Sequence, residues 1–395
     1  MPSVLYLLAL AVFVMGTSEF MLAGLVPDIA ADLDVSVGTA GLLTSAFAIG
    51  MVVGAPAMAA LARRWPERAT LLACVLVFAL CHVVAATTAH FSLLFLTRVI
   101  AALANAGFLA VALSAATRLV APHQKGRALS VLLSGTTIAV VAGVPAGSLL
   151  GSALGWRATF WAIVLLCVPA TLSIARSIPR RSVEAARAVG GPTLRSELVQ
   201  LRAPRVLLAM LLGALVNGGT FAVFTFLAPI VTDTADLAET WVSVALVLFG
   251  LGSFLGVTLA GRLSDGRPGL VIAGGGPLLL LGWIATALLA SHPVLLLGLL
   301  LIQGILAFAV GSTLISRVLY AATGAPTMGG SYATAALNLG AAAGPAIAAA
   351  ALTAGYGVLA PVWVAVASTA LALLVALPLL KTIAPQAAAA AVESS

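Results

Sequence analysis

Apolar runs of about 20 residues, the length a bilayer requires of a spanning helix, recur twelve times along this chain. They lie at approximately 4–27, 38–60, 69–88, 92–117, 129–151, 158–176, 206–231, 241–261, 269–290, 294–316, 328–350 and 359–380. Charged residues make up only 8% of the chain, against about 25% in soluble domains. Too few polar groups exist to coat a globule, so the expected fold is an all-α membrane protein of twelve transmembrane helices. The first run lacks a basic leader and contains Glu19, so it reads as an uncleaved helix rather than a signal peptide.

The chain holds four histidines and three cysteines, and none is at a metal-ligand spacing, so no metal is expected. No phosphate loop followed by Lys-Ser/Thr occurs, which removes ATP as an energy source, and no cofactor is called for. No nucleophile–base pair stands out, so the chain is not expected to be an enzyme. Cys74, Cys81 and Cys167 read as small apolar packers.

A net charge of +7 would suit a polyanion partner, but its distribution argues otherwise. Of the 19 Lys and Arg residues, only Arg157 falls between runs on the outer side and only Arg98 in the interior of one, with Arg176 closing the sixth run at its cytoplasmic end. The remainder cluster in the alternate segments, while Asp32, Asp34, Asp233, Asp236 and Glu239 lie outside. The positive-inside bias then puts both termini in the cytoplasm, and no nucleic-acid partner is implied.

The polar stretch RSIPRRSVEAARAVGGPTLRSELVQLRAPR divides the runs six and six. This gives an N-terminal bundle (1–176), a cytoplasmic linker (177–205) and a C-terminal bundle (206–395) with a short cytoplasmic tail. Internal similarity supports pseudo-symmetric halves: GMVVGAPAMAALAR (50–63) echoes GSFLGVTLAGRLSD (252–265), Pro145 matches Pro345, and Pro27 matches Pro229. Parallel six-helix repeats of this kind put a cavity between the halves and expose it alternately to each side.

The fifth run carries Gly143, Pro145, Gly147, Gly151 and Gly155, with glycines four residues apart. Such spacing makes one face of a helix free of side chains, and small faces drive close helix packing in lipid. Gly50/Gly54, Gly252/Gly256 and Gly340/Gly344 repeat the feature in the second, eighth and eleventh runs. Matching positions in the two halves predict helices that meet across a sliding interface. Ordinary tight packing is the alternative.

These residues carry a resemblance. GVPAG in the fifth run resembles the antiporter motif of the twelve-helix drug:proton antiporter branch of the major facilitator superfamily, with the usual Gly-Pro order altered. GRLSDGRP (261–268) is similar to that superfamily's loop signature, with Asp265 and Arg267 in the acidic and basic positions. The first-half copy, LARRWPER (61–68), departs from it. Arg63 stands in the acidic position and Glu67 in a basic one, flanked by Arg64 and Arg68. LTRVIAALANAG (96–107) resembles the branch's fourth-helix motif, built on a membrane-embedded arginine. Residues 16–50 and 324–338 look like actinobacterial chloramphenicol efflux proteins. The resemblance implies the major facilitator fold and drug export.

Ionisable residues inside apolar runs are functional candidates by default. Glu19 lies about 12 Å below the outer end of its helix, and Arg98 about 9 Å below its own, at 1.5 Å per residue. His82 lies at a similar depth. A carboxyl group caught between desolvation and a nearby guanidinium can gain and lose a proton as hydration changes. Glu19, Arg98, His82 and Asp28 are therefore the proton-coupling candidates. Permanent pairing of Glu19 with Arg98, a spacer role for His82 and helix capping by Asp28 are the alternatives. Glu19, Asn105, Asn217, Gln303, Tyr332 and Asn338 are candidates for substrate contact, with interhelical hydrogen bonding an equal account of most of the neutral ones.

Together these readings point to a monomeric carrier in the cell membrane that exchanges protons for a small amphipathic antibiotic, with chloramphenicol implied by the resemblance. A proton-coupled carrier of a sugar, nucleoside or other metabolite is the alternative on the same scaffold.

Overall fold

The computed structural model describes residues 3–61, 65–121, 124–177, 194–263, 268–325 and 328–379. Helices dominate, and no strand occurs among the described residues. In chain order they are α1 (Ser3–Phe20), α2 (Val37–Leu61), α3 (Glu67–Thr87), α4 (Phe91–Arg118) and α5 (Lys125–Ile138, continuing through Ala139–Gly143 into Val144–Leu154). There follow α6 (Trp156–Ser177), α7 (Pro204–Thr225), α8 (Thr240–Leu263) and α9 (Pro268–Leu270, then Val271–Gly275, then Gly276–Leu289). The last three are α10 (Pro293–Ala321), α11 (Gly329–Thr353) and α12 (Ala360–Ala376).

Eleven of these segments are long and apolar enough to cross a bilayer. The twelfth, α12, has 17 residues and would span about 25 Å, still within the range of transmembrane helices. The described residues of Met1–Pro192 and Glu239–Val247 form one compact unit, and those of Thr193–Ala238 and Leu248–Ser395 form the other.

Proline explains two irregularities. The five-residue π turn at Ala139–Gly143 ends two residues before Pro145, whose ring cannot donate to the ladder and would clash with the carbonyl one turn back. Widening the preceding turn removes that conflict. The same device precedes Pro277 in α9, at Val271–Gly275. A third π turn, Ile230–Thr234, follows Pro229.

The glycine faces do what the spacing predicts, with two corrections. First, each faces a partner inside its own unit, so these faces bring helices together within each unit. On α2, a Cβ at Gly50 would stand 2.5 Å from the Val99 carbonyl oxygen of α4, and one at Gly54 would stand 3.0 Å from Ala106. Gly252 and Gly256 of α8 press on the Leu301 and Ile305 carbonyls of α10. Gly340 and Gly344 of α11 press on Ala214 and Gly218 of α7, while Gly143 of α5 presses on Thr17 of α1. The pairs α2–α4 and α8–α10, and likewise α1–α5 and α7–α11, occupy matching places in the two repeats.

Second, only three of the fifth-run glycines share the helix. Gly147 lies against Thr159 and Met21, and Gly151 against Leu25, but α5 ends at Leu154. Gly155 sits beyond it at φ 82°, ψ 152°, a region open essentially to glycine alone. It is the break between α5 and α6 and contributes nothing to the groove.

Candidate functional site

Ser18 and Glu19 are consecutive on α1 and therefore point about 100° apart around the helix. Arg98 and Asn105 are seven residues apart on α4, two turns along one face. The four side chains meet in two separate contacts. Asn105 Nδ2 donates to Glu19 Oε2 at 3.3 Å and lies 3.7 Å from the Met51 sulfur of α2. Arg98 turns instead to Ser18, donating from one terminal nitrogen to Ser18 Oγ and from the other to the Ser18 carbonyl, both at 2.9 Å.

The Glu19–Arg98 ion pair, the alternative to a proton-coupling role, is therefore not formed. Arg98 is 1% exposed and makes no ion pair among the described residues. A helix terminus accounts for this. The α-helical part of α1 stops at Phe20, and a 3₁₀ turn, Met21–Gly24, follows. Ser18 thus supplies one of the last carbonyls of the helix, where cations are favoured by the dipole and by orphan acceptors. The guanidinium also stacks 4.5 Å from the centroid of the Phe47 ring on α2, a cation–π contact in a desolvated setting.

His82 of α3 completes this chain of contacts. Its Nδ1 lies 2.7 Å from the Phe78 carbonyl one turn back, and its Nε2 lies 2.6 Å from Ser18 Oγ. The rings of Phe78 and Phe160 flank it, with centroids 4.3 and 5.7 Å away. Sequence reasoning singled out Glu19, Arg98, His82 and Asn105 but missed Ser18, Phe47 and Met51. The only available signal was the polar cluster TSE inside an apolar run.

Asp28 is not brought into this group. It lies exposed in the first turn of a short helix, Val26–Asp32, beyond α1. Burial of its carboxyl raises its pKa above the ordinary 3.8, and the charge of Glu239 adds to the rise. Nearby, Arg157 pairs with Asp32, donates to the Thr88 carbonyl at 2.9 Å and stacks on Trp156.

The candidates in the other unit take helix-packing partners. Asn217 Nδ2 of α7 donates to the Leu337 carbonyl of α11 at 2.7 Å. Gln303 of α10 is fully buried and donates to the Leu279 carbonyl of α9 at 3.2 Å. Asn338 donates to the Thr334 carbonyl of its own helix at 3.0 Å. Tyr332 is 2% exposed, and its hydroxyl donates to the Glu197 carbonyl at 2.9 Å, tying α11 to the short helix Leu194–Val199. The bonds of Asn217, Gln303 and Tyr332 link helices, while that of Asn338 stays within its own; an amide or hydroxyl in a span needs a partner wherever it lies. Of the loop residues, Arg68 lies partly buried in the first turn of α3; Arg64, Asp265 and Arg267 fall outside the described residues.

The sequence profile of the Major Facilitator Superfamily matches residues 8–336. This chain belongs to the Major Facilitator Superfamily. Within it, the chain is 65% identical to a chloramphenicol resistance protein of Streptomyces lividans, over 96% of each chain. It is 33% identical to the inner membrane transport protein YdhP of Escherichia coli strain K12, over 89% of each. Among solved structures, the bacterial homolog to the human lysosomal transporter Spinster superposes with a TM-score of 0.72 at 18% identity, covering 96% of this chain and 98% of that one. That likeness concerns the fold. A Major Facilitator fold with apolar helices makes the chain a multi-pass membrane transporter, and the class is not an enzymatic one.

Proposed function

We propose that this chain exports a small, largely neutral amphipathic antibiotic, chloramphenicol, in exchange for protons entering the cell. The 65% identity to a chloramphenicol resistance protein supports the substrate. The coupling reading rests on one observation: Glu19 sits within an apolar span, hydrogen-bonded to the neutral amide of Asn105 and in no ion pair among the described residues. A carboxylate not locked to a cation is free to trade its charge for a proton.

In the proposed cycle Glu19 takes a proton from the outer side, its hydrogen bond from Asn105 weakens, and drug held at Glu19 and Asn105 leaves. The carrier then turns inward, releases the proton and binds drug again. Arg98 supplies a fixed positive potential beside the carboxyl, and each inward proton draws about 2.3 kcal/mol per 100 mV. Alternating access by two six-helix bundles (1–176 and 206–395) through the linker, cytoplasmic termini, a plasma-membrane location and a monomeric carrier belong to the same proposal.

Purified protein in liposomes, given an imposed pH gradient and radiolabelled chloramphenicol, tests direction, coupling and substrate together. Gradient-driven accumulation that Glu19→Gln abolishes is the expected result. Undiminished gradient response in Glu19→Gln rejects the coupling residue, and transport of a sugar or nucleoside without drug transport rejects the substrate.

A further inference from the structure

We propose that His82 is a positioning residue for Arg98, acting through the Ser18 hydroxyl, and that it carries no transported proton. The inference deepens the proton-coupling reading of the same site and rests on it for the role of Arg98.

The argument is one of hydrogen-bond direction. A carbonyl only accepts, so the 2.7 Å contact to Phe78 requires His82 Nδ1 to carry a hydrogen. Arg98 only donates, so Ser18 Oγ accepts from it at 2.9 Å. The Ser18 hydroxyl hydrogen then has His82 Nε2 at 2.6 Å as its acceptor. Each contact in the Phe78–His82–Ser18–Arg98 chain then has one donor and one acceptor when the imidazole is neutral. Only Arg98 Nε is left without a partner among the described residues, and the ring fixes the serine rotor with a lone pair toward the guanidinium.

A protonated ring would break the chain. Both neighbours of Ser18 Oγ would donate to it, its own hydrogen would lose its acceptor, and a second cation would face Arg98 across one oxygen. The charged or titratable neighbours are Arg98 on α4, Glu19 one residue beyond Ser18 on α1, and Cys81 on the histidine's own helix; from α6 the ring meets Phe160. Ser18, His82 and Arg98 are each no more than 1% exposed, so water does not stand in for a missing partner. Fixing the guanidinium on α1 one residue from Glu19 keeps its potential at a set distance from the carboxyl.

The test is a set of variants read by equilibrium chloramphenicol binding and by proton-driven efflux across a pH series. His82→Phe and Ser18→Ala are expected to weaken efflux about tenfold or more, the scale of one hydrogen bond to a charged group. His82→Gln, which keeps an acceptor near the place of Nε2, restores most of that loss with an unshifted pH profile. In an Arg98→Lys background, His82→Phe adds little further loss of binding. Full additivity in that background, or His82→Gln as defective as His82→Phe in protein that melts like wild type, overturns the proposal. So does a pH profile that loses a limb in His82→Gln. The binding cycle needs no pH gradient, so it separates this inference from the fate of Glu19, which Glu19→Gln reports in parallel.

Discussion

Arg98 on α4 holds the main-chain carbonyl of Ser18 on α1 at 2.9 Å, one residue before the membrane carboxylate Glu19. The arginine thereby anchors the end of a helix rather than pairing with the acid. Lysine cannot reproduce this contact, because a single ammonium on a flexible stem lacks the fork that reaches Ser18 Oγ and Ser18 O together. We expect Arg98→Lys to lose about 1.5–3 kcal/mol of stability, the range for hydrogen bonds to charged groups, and to impair efflux. Thermal unfolding in detergent beside liposome efflux measures both.

Much of this was legible beforehand, because a bilayer imposes length and polarity rules that composition cannot disguise. The twelve spans and the isolated polar residues Glu19, Arg98, His82 and Asn105 follow from those rules, whereas the break at Gly155 does not, since its spacing alone continues the glycine face. The partner choices do not. Nothing in the spacing of Ser18, Glu19 and Arg98 tells which of two adjacent side chains the guanidinium reaches, since that depends on where α1 stops being α-helical. Likewise, glycine spacing identifies a small face on α2 or α11 but not the helix it meets. Tyr332 looked like a cavity residue because no periodicity shows that the helix Leu194–Val199 would dock against it.

Close approach of α7 and α11 predicts a sharp contrast between glycines. A Cβ at Gly344 would run into the main-chain carbonyl of Gly218, with the carbonyl carbon only 2.6 Å away. Backbone has nowhere to yield without parting the helices, so Gly344→Ala should cost roughly 1–3 kcal/mol or more as overpacking. Gly298 on α10 has no atom within 4 Å of an added Cβ, and Gly298→Ala should be tolerated. Folded yield by size-exclusion chromatography and the melting temperature decide between them.

Asp28 gives a pH prediction with a definite sign. Its carboxyl is raised above 3.8 by burial and then by Glu239, so the folded chain holds this proton to higher pH than the unfolded chain. The native state then binds more protons in that window, and stability falls as pH rises from 3.8 through the raised folded value. Asp28→Asn removes both the titration and the repulsion from Glu239. The melting temperature of Asp28→Asn should therefore exceed that of wild type increasingly as pH climbs from about 4. High salt should remove only the part of the gap that comes from Glu239, because charge–charge repulsion is screened and desolvation is not. An equal gap at all pH values would show that the carboxyl does not titrate differently on folding.

The last prediction concerns the anchoring of the helix Leu194–Val199. Glu197 is fully buried, and its Oε2 accepts the Met328 backbone N–H at 2.7 Å, at the start of α11. A carboxylate there satisfies an orphan donor and favours the positive end of the helix dipole. The Tyr332 hydroxyl one turn further on accounts for the Glu197 carbonyl. Glu197→Gln keeps an acceptor but loses the charge, a change of about 0.3–2 kcal/mol; Tyr332→Phe loses one hydrogen bond, about 1 kcal/mol. Both should lower the melting temperature of the purified carrier while chloramphenicol affinity holds. If Tyr332→Phe instead weakens drug binding at unchanged stability, the hydroxyl serves the substrate, and the contact with Glu197 is one that transport must break.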